Sequence, residues 1–186
     1  MVRERQDLSV SIKISYFEVY NENINDLLAA LPESAIVGQS SEPPMVCEDD
    51  NGAYVKGLTY HTALNEEDAI SLLFEGEASR VIAAHSLNRQ SSRSHAVFTV
   101  FLECRSRIAT DARYTTAKLN FVDLAGSERL AKTLSAGKAR EEAMYINKSL
   151  SFLEQVVIAL AEKRRDHIPF RQSKLTHFLK VLHIFF

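Results

Sequence analysis

The sequence predicts an α/β fold, and three observations carry the prediction. Segments 8–20, 96–104 and 118–124 have the apolar and β-branched content of strands. Stretches beginning near residues 65 and 146 recur at helical spacing. The two kinds of segment alternate along the chain, the pattern of a sheet layered with helices. The 186 residues suffice for one domain with a sizeable core, and 46% apolar with 25% charged residues is an ordinary globular composition.

From the amino end, Leu8, Val10, Ile12, Ile14 and Tyr16 alternate at period two, which predicts a strand over 8–20. Asn21-Glu22-Asn23 breaks it, and Ile24–Leu31 is read as a short helix. Residues 32–52, with Pro32, Pro43, Pro44, Gly38 and Gly52, read as an exposed loop, and 53–63 as a short strand or hairpin. Asn65 is an N-cap candidate with Asp68 three residues on and Glu66 and Glu67 in the first turn. Ala69, Leu72 and Leu73 open the apolar face of the next helix, and Gly76 is expected to weaken it or end its first section. AVFTVFLEC (96–104) is apolar enough for a strand buried on both faces, and KLNFVDL (118–124) is similar. Ile146, Leu150, Leu153, Val157 and Leu160 predict an amphipathic helix over about 144–161 with that stripe in the core. A last short helix is expected around Ser173–Leu182, after Pro169.

Bulk properties exclude several classes. A net charge of -2 excludes a globally basic nucleic-acid binder. No apolar run reaches about 18 residues, so no membrane helix is expected. The start, Met1-Val2-Arg3-Glu4-Arg5, lacks the apolar core of a signal peptide. Cys47 and Cys104 have no metal-ligand spacing and read as reduced thiols of a cytosolic protein.

Two constellations carry chemistry. Asp123 ends the strand 118–124, and Gly126 comes three residues later. A carboxylate at a strand's carboxyl end can hold Mg²⁺ directly or through water, and a glycine lets a backbone N–H approach a phosphate. Taken alone, this pattern is more often a capped turn after a buried strand. The second is Asn88-Arg89-Gln90-Ser91-Ser92-Arg93-Ser94-His95, whose adjacent hydroxyls suit a metal or an attacking water and whose Arg93 brings a fixed charge. Alone it is also an ordinary polar turn.

Joined to two later segments of the chain, these stretches resemble the kinesin motor domain. NRQSSRSH (88–95), DLAGSE (123–128), INKSLSFLEQVVIALAE (146–162) and IPFRQSKLT (168–176) occur in that family's order. The similarity extends over SYFEVYNENINDLL (15–28) and 52–88, and so covers about residues 8–180. SLLFEGEASR, INKSLSFLEQ and KRRDHIPFRQSKLTH most resemble the ninth kinesin family, whose members are associated with cilia and flagella. The resemblance implies a central mixed sheet with helices on both faces, of the P-loop-NTPase type. It implies microtubule-stimulated ATP hydrolysis, with ATP and Mg²⁺ as ligands, tubulin as partner, and a place on cytoplasmic microtubules or the axoneme. By position, 88–95 is switch I, with Asn88 facing the nucleotide, Ser91 positioning the attacking water and Ser92 at Mg²⁺. Residues 123–128 are switch II, with Asp123 on the Mg²⁺-bound water and the Gly126 N–H sensing the γ-phosphate. Arg93 and Glu128 are expected to pair as a latch when the site closes, a switching device suited to phosphoryl transfer. The region 144–180 is implied to face tubulin through Lys148, Lys163, Arg164, Arg165, His167, Arg171 and Lys174, with Lys56 as a second contact. Without the resemblance, that basic run reads as a solvated charged face.

The sequence also departs from the family. It has six glycines and no G-x-x-x-x-G-K-[ST] phosphate loop, and its one Gly-Lys pair, Gly137-Lys138, lacks the earlier glycine. The family places that loop upstream, so residues 1–186 correspond to a partial motor domain without the P-loop strand. That strand lies beside the switch II strand in the resembled fold, so 119–124 is expected to be an exposed apolar edge. The ending 181–186, VLHIFF, replaces a Leu-Gly-Gly turn and reads as an atypical, truncated tail. Leu134, Ala136 and Arg140 alter the loop expected between Leu130 and Glu142, which in the family couples tubulin to nucleotide. Two alternatives stand beside the motor reading: a microtubule-binding module independent of nucleotide, and an inactive product of a truncated gene model.

Overall fold

The computed structural model describes residues 8–30, 35–36, 42–50, 52–86, 93–107, 114–126, 138–162, 165 and 167–180, with backbone alone at 35–36, 84–86 and 138–146. A six-stranded sheet forms its centre. Strand β1 (Leu8–Tyr20) is hydrogen-bonded to β2 (Asn23–Asp26), to β6 (Tyr60–Ala63) and, from Leu8 opposite Ser106 to Val19 opposite His95, to β7 (His95–Ser106). β3 (Ala35–Ile36) lies outside β6, and β8 (Tyr114–Asp123) outside β7. β4 (Met45–Asp49) and β5 (Gly52–Lys56) form a separate hairpin. Every pairing among the described strands is antiparallel.

Alternation along β1 divides the core into two layers, because successive side chains of a strand point to opposite faces. Ile14 and Tyr16 pack with Ala63, Ala96 and Leu72 of helix α1 (Glu66–Ser86). Phe17 and Val19 pack on the other face with Val55, Val97, Leu175 and Phe178. That face carries helix α2 (Lys138–Ala161), a 3-10 turn (Phe170–Gln172) and helix α3 (Lys174–Phe178). Phe17 meets Phe178 edge-on at 5.0 Å, and each buried ring of this kind stabilises the fold by about 2 kcal/mol. The expected α/β layering, with helices on both faces of a sheet, is therefore present.

The start of α1 is the one expected. Asn65 Oδ1 accepts the Asp68 N–H at 2.8 Å, and Asp68 Oδ2 accepts the Leu64 N–H at 2.9 Å. The last helix is capped by Ser173, which exchanges hydrogen bonds with Thr176.

Several expectations are corrected. Of the helix expected over 24–31, the described residues 24–30 are not helical: Asn21 (φ 50°) and Glu22 (φ 57°) make a tight left-handed turn that returns the chain as β2. Asp26 then fixes the exit, accepting the N–H of Leu28 and the N–H and hydroxyl of Thr59. The expected loop 32–52 contains β3 and β4. Gly76 does not end α1, which runs unbroken to Ser86; a Cβ there would overlap the Tyr16 ring, so the glycine permits a close approach of helix to sheet. Helix α2 begins at Lys138, so Arg140 and Glu142 are helical and not in a loop. Its buried line is Ser149, Val156 and Ala159, with Leu153 partly buried, whereas Val157 is 58% exposed and Leu160 44%. Helix α2 packs chiefly on the 3-10 turn and α3. The final helix is shorter than expected, ending at Phe178.

β8 is not buried on both faces. It is the last strand of the sheet among the described residues, and Leu119 and Phe121 are 58% and 54% exposed. The apolar edge expected at 119–124 is thus observed.

Candidate functional site

The antiparallel register of β7 and β8 sets Ala96 opposite Asp123. The amino end of β7 and the carboxyl end of β8 therefore meet, and with them the described residues 93–95 and 123–126. A site between two loops is built by one strand pair. With no parallel strands described, the ligand end is better stated as this junction than as the carboxyl end of a parallel sheet.

Two side chains hold the junction. Arg80, on α1, is 5% exposed. Its Nη1 donates to Asp123 Oδ2 at 2.9 Å, its Nη2 to the Ser94 carbonyl at 2.9 Å, and its Nε to Ser94 Oγ at 3.3 Å. Burial works against the guanidinium charge, and the Asp123 and Glu77 carboxylates more than offset it, so its pKa is raised. Glu77 in turn accepts from the Tyr16 hydroxyl, whose own pKa is pushed up by burial and by that carboxylate. The second is His95, 3% exposed. Its Nδ1 accepts the Ala125 N–H at 3.0 Å, and its Nε2 lies 2.7 Å from Ser149 Oγ on α2. Burial, and after it the Arg80 charge, depresses the His95 pKa to about 4, so the ring is neutral at pH 7.

Asp123 keeps its side chain 70% exposed despite the Arg80 bond, and Gly126 is exposed. The pair thus presents a carboxylate and an open backbone at the edge of the sheet. That donor set suits a magnesium–phosphate group, since Mg²⁺ takes one or two carboxylates and fills the rest with water and phosphate oxygens. No cluster of three or more His, Cys, Asp or Glu residues forms a protein-only metal cage among the described residues.

The basic surface lies on α2 and beyond. Lys148 is exposed, with its Nζ 5.7 Å from the Phe152 ring centre. Arg165 pairs with Glu162 at 3.1 Å, and its Nε donates to the His167 carbonyl. Arg171 donates to both oxygens of Glu48, which also meets His177 at 2.6 Å and Lys180 at 2.6 Å. Hydrogen bonds from Arg171, Lys180 and His177 hold the Glu48 carboxyl at about 2. The Lys174 N–H is accepted by Glu22, and Lys56 Nζ is 3.7 Å from Glu42. Of the expected cations, Arg165, Arg171 and Lys56 thus each face a carboxylate. The described candidates are Arg93, Asp123, Gly126, Lys56, Lys148, Arg165, His167, Arg171 and Lys174. Asn88, Ser91, Ser92, Glu128, Lys163 and Arg164 lie outside the described residues, as does the Arg93–Glu128 latch. Arg80 and Ser149 were not among the expected site residues, and His95 stood in the segment 88–95 without a role of its own. The local sequence signals none of them as a partner of Asp123 or Ala125; Arg80 reads there as one more polar helix residue, three positions from Glu77.

The described residues form a sheet with helices on both faces, and its β7–β8 junction brings Asp123 and Gly126 beside Ser94 and His95. The kinesin motor domain model matches residues 1–182, and the chain belongs to that family. It is 55% identical over 180 residues to the kinesin-like protein KIF9 of Mus musculus, covering 97% of this chain and 22% of the relative. Identity to KIF9 of Homo sapiens is 54%, with the same coverage, and the expected likeness to the ninth kinesin family is borne out. The kinesin-like protein KLP1 of Chlamydomonas reinhardtii is 46% identical, covering 95% of this chain and 22% of the relative. Among solved structures, a fast kinesin superposes with a TM-score of 0.77 at 36% identity, covering 93% of this chain and 46% of that one. KIF14 with ADP in complex with a microtubule superposes at 0.78 with 37% identity, covering 95% and 50%. The chain spans about a fifth of these curated relatives and about half of the solved motor chains.

Proposed function

We propose that this chain supplies the switch half and the microtubule-facing half of an ATP-driven microtubule motor. The observation that carries the reading is the junction of β7 and β8, where Arg80 ties Ser94 to Asp123 and His95 ties Ala125 to α2. Bound Mg·ATP would supply the transferable phosphoryl group. Asp123 would hold the metal's water, and the Gly126 N–H would meet the terminal phosphate. From switch I, Asn88, Ser91 and Ser92 would contribute hydroxyl and amide contacts, and Arg93 with Glu128 would close the site. Such a site works by placement and charge, not by covalent chemistry.

Residues 1–186 contain no phosphate loop, so nothing in them cradles the β-phosphate. The chain alone is therefore proposed to bind microtubules without turning over ATP. The tubulin surface would be the outer side of α2 with Lys148, the run 163–174 and Lys56. Because several of these cations already face carboxylates, attraction to acidic tubulin would be moderate and salt-sensitive. The place of action would be the microtubule cytoskeleton, with the axoneme of a cilium or flagellum as the finer assignment.

Co-sedimentation with polymerised tubulin tests this. The expected result is pelleting that is the same with and without ATP and falls between about 25 and 150 mM salt, near where the Debye length reaches about 8 Å. Absence of pelleting at low salt would refute the tubulin assignment.

A further inference from the structure

The proposed nucleotide chemistry leaves His95 without a role, although it is among the most enclosed polar residues of the molecule. Its backbone is fixed at the first position of β7, opposite Val19. Its ring bridges the peptide of Ala125 and Ser149, near the middle of α2. We propose that His95 is a positioning residue that makes the placement of the Ala125–Gly126 backbone and the placement of helix α2 depend on each other.

The chemistry allows one tautomer. Ala125 N–H is a donor, so Nδ1 must carry the lone pair. The proton then sits on Nε2 and is donated to Ser149 Oγ. The depressed basicity of the ring keeps this neutral form in place. The ring is rigid and its Cα is held in the sheet, so the two bonds cannot adjust independently. If the 125 peptide moves, the ring goes with it and the bond to α2 is lost or α2 moves too. If the ring swings away, the buried Ala125 N–H is orphaned, which is costly.

The neighbouring residue does the same on the opposite face. Ser94 receives Arg80 of α1, which also holds Asp123. Residues 123–125 are thus tied through Arg80, which also holds Ser94, to the helix on one face and through His95 to the helix on the other. The functional weight of this link rests on the reading of 123–128 as the phosphate-facing segment; its geometry does not.

The test is amide hydrogen exchange on the 186-residue chain and on Ser149→Ala, with imidazole nitrogen NMR on the same samples. The NMR should show His95 protonated at Nε2 and bare at Nδ1. Ser149→Ala should speed exchange at Ala125 by about fivefold or more, the scale of one hydrogen bond's contribution, while Val97 and Thr99 in β7 keep their protection. The inference is overturned if Ala125 exchange is unchanged while α2 loosens, if all amides change by one common factor, or if Nδ1 carries the proton. Microtubule pelleting is not a readout here, so failure of the tubulin assignment leaves this result interpretable.

Discussion

Acidification should destabilise this protein through His95 in one pH window. His95 is held neutral with a pKa of about 4 against an ordinary 6.5. A base with a depressed folded pKa stabilises the fold fully above the unfolded value. That contribution is lost as pH falls from about 6.5 to about 4, because the unfolded chain takes up a proton that the folded chain refuses. The gap, at about 1.4 kcal/mol for each pH unit, amounts to about 3 kcal/mol, a large share of the roughly 5–15 kcal/mol typical of a domain. Glu48 acts in a separate window: its carboxyl lies at about 2 against an ordinary 4.5, so its contribution is present above 4.5 and lost below. Between pH 6.5 and 4.5 the difference between the parent and a His95→Asn variant therefore isolates the imidazole. The assay is urea unfolding at about pH 7.5, 6.5, 5.5 and 4.5, monitored by circular dichroism. The parent should lose stability by about 1.4 kcal/mol more per pH unit than His95→Asn over the lower part of that range. Parallel pH dependences for the two proteins would refute the reasoning.

Other outcomes rest on the same contacts. Gly76→Ala should destabilise by about 1–3 kcal/mol in urea unfolding, despite alanine's better helix propensity, because the new methyl meets the Tyr16 ring. Arg80→Lys should cost about 2 kcal/mol in the same assay, since one ammonium cannot reach Asp123 and both acceptors of Ser94 as the guanidinium fork does. Phe121→Lys should raise the monomer fraction in light scattering, because a charge on an exposed edge strand opposes edge-to-edge pairing.

The legible parts of the fold were those written in period and capping. β1 stands in its apolar alternation, β7 and β8 in their apolar runs, and the Asn65–Asp68 start of α1 in its spacing. β2 was not legible, because Asn21 and Glu22 take positive φ without a glycine to announce it. The phase of α2 was not legible either: packing selected the small Ser149 and Ala159 over Val157 and Leu160, and hydrophobicity alone points to the larger residues. The switch segments were readable as motifs. Their tethers were not, since Arg80 lies 43 residues from Asp123 and His95 lies 54 from Ser149, and only the strand register brings them together.

The central claim is that these residues form half of a nucleotide site, complete in its switches and lacking its phosphate cradle. The most direct measurement is phosphate release from ATP in the presence of microtubules, for this chain alone and for the chain fused behind the upstream part of the mouse KIF9 motor. The chain alone should release no phosphate above background, and the fusion should show microtubule-stimulated turnover. Turnover by the chain alone, or none from a folded, microtubule-binding fusion, would contradict the account.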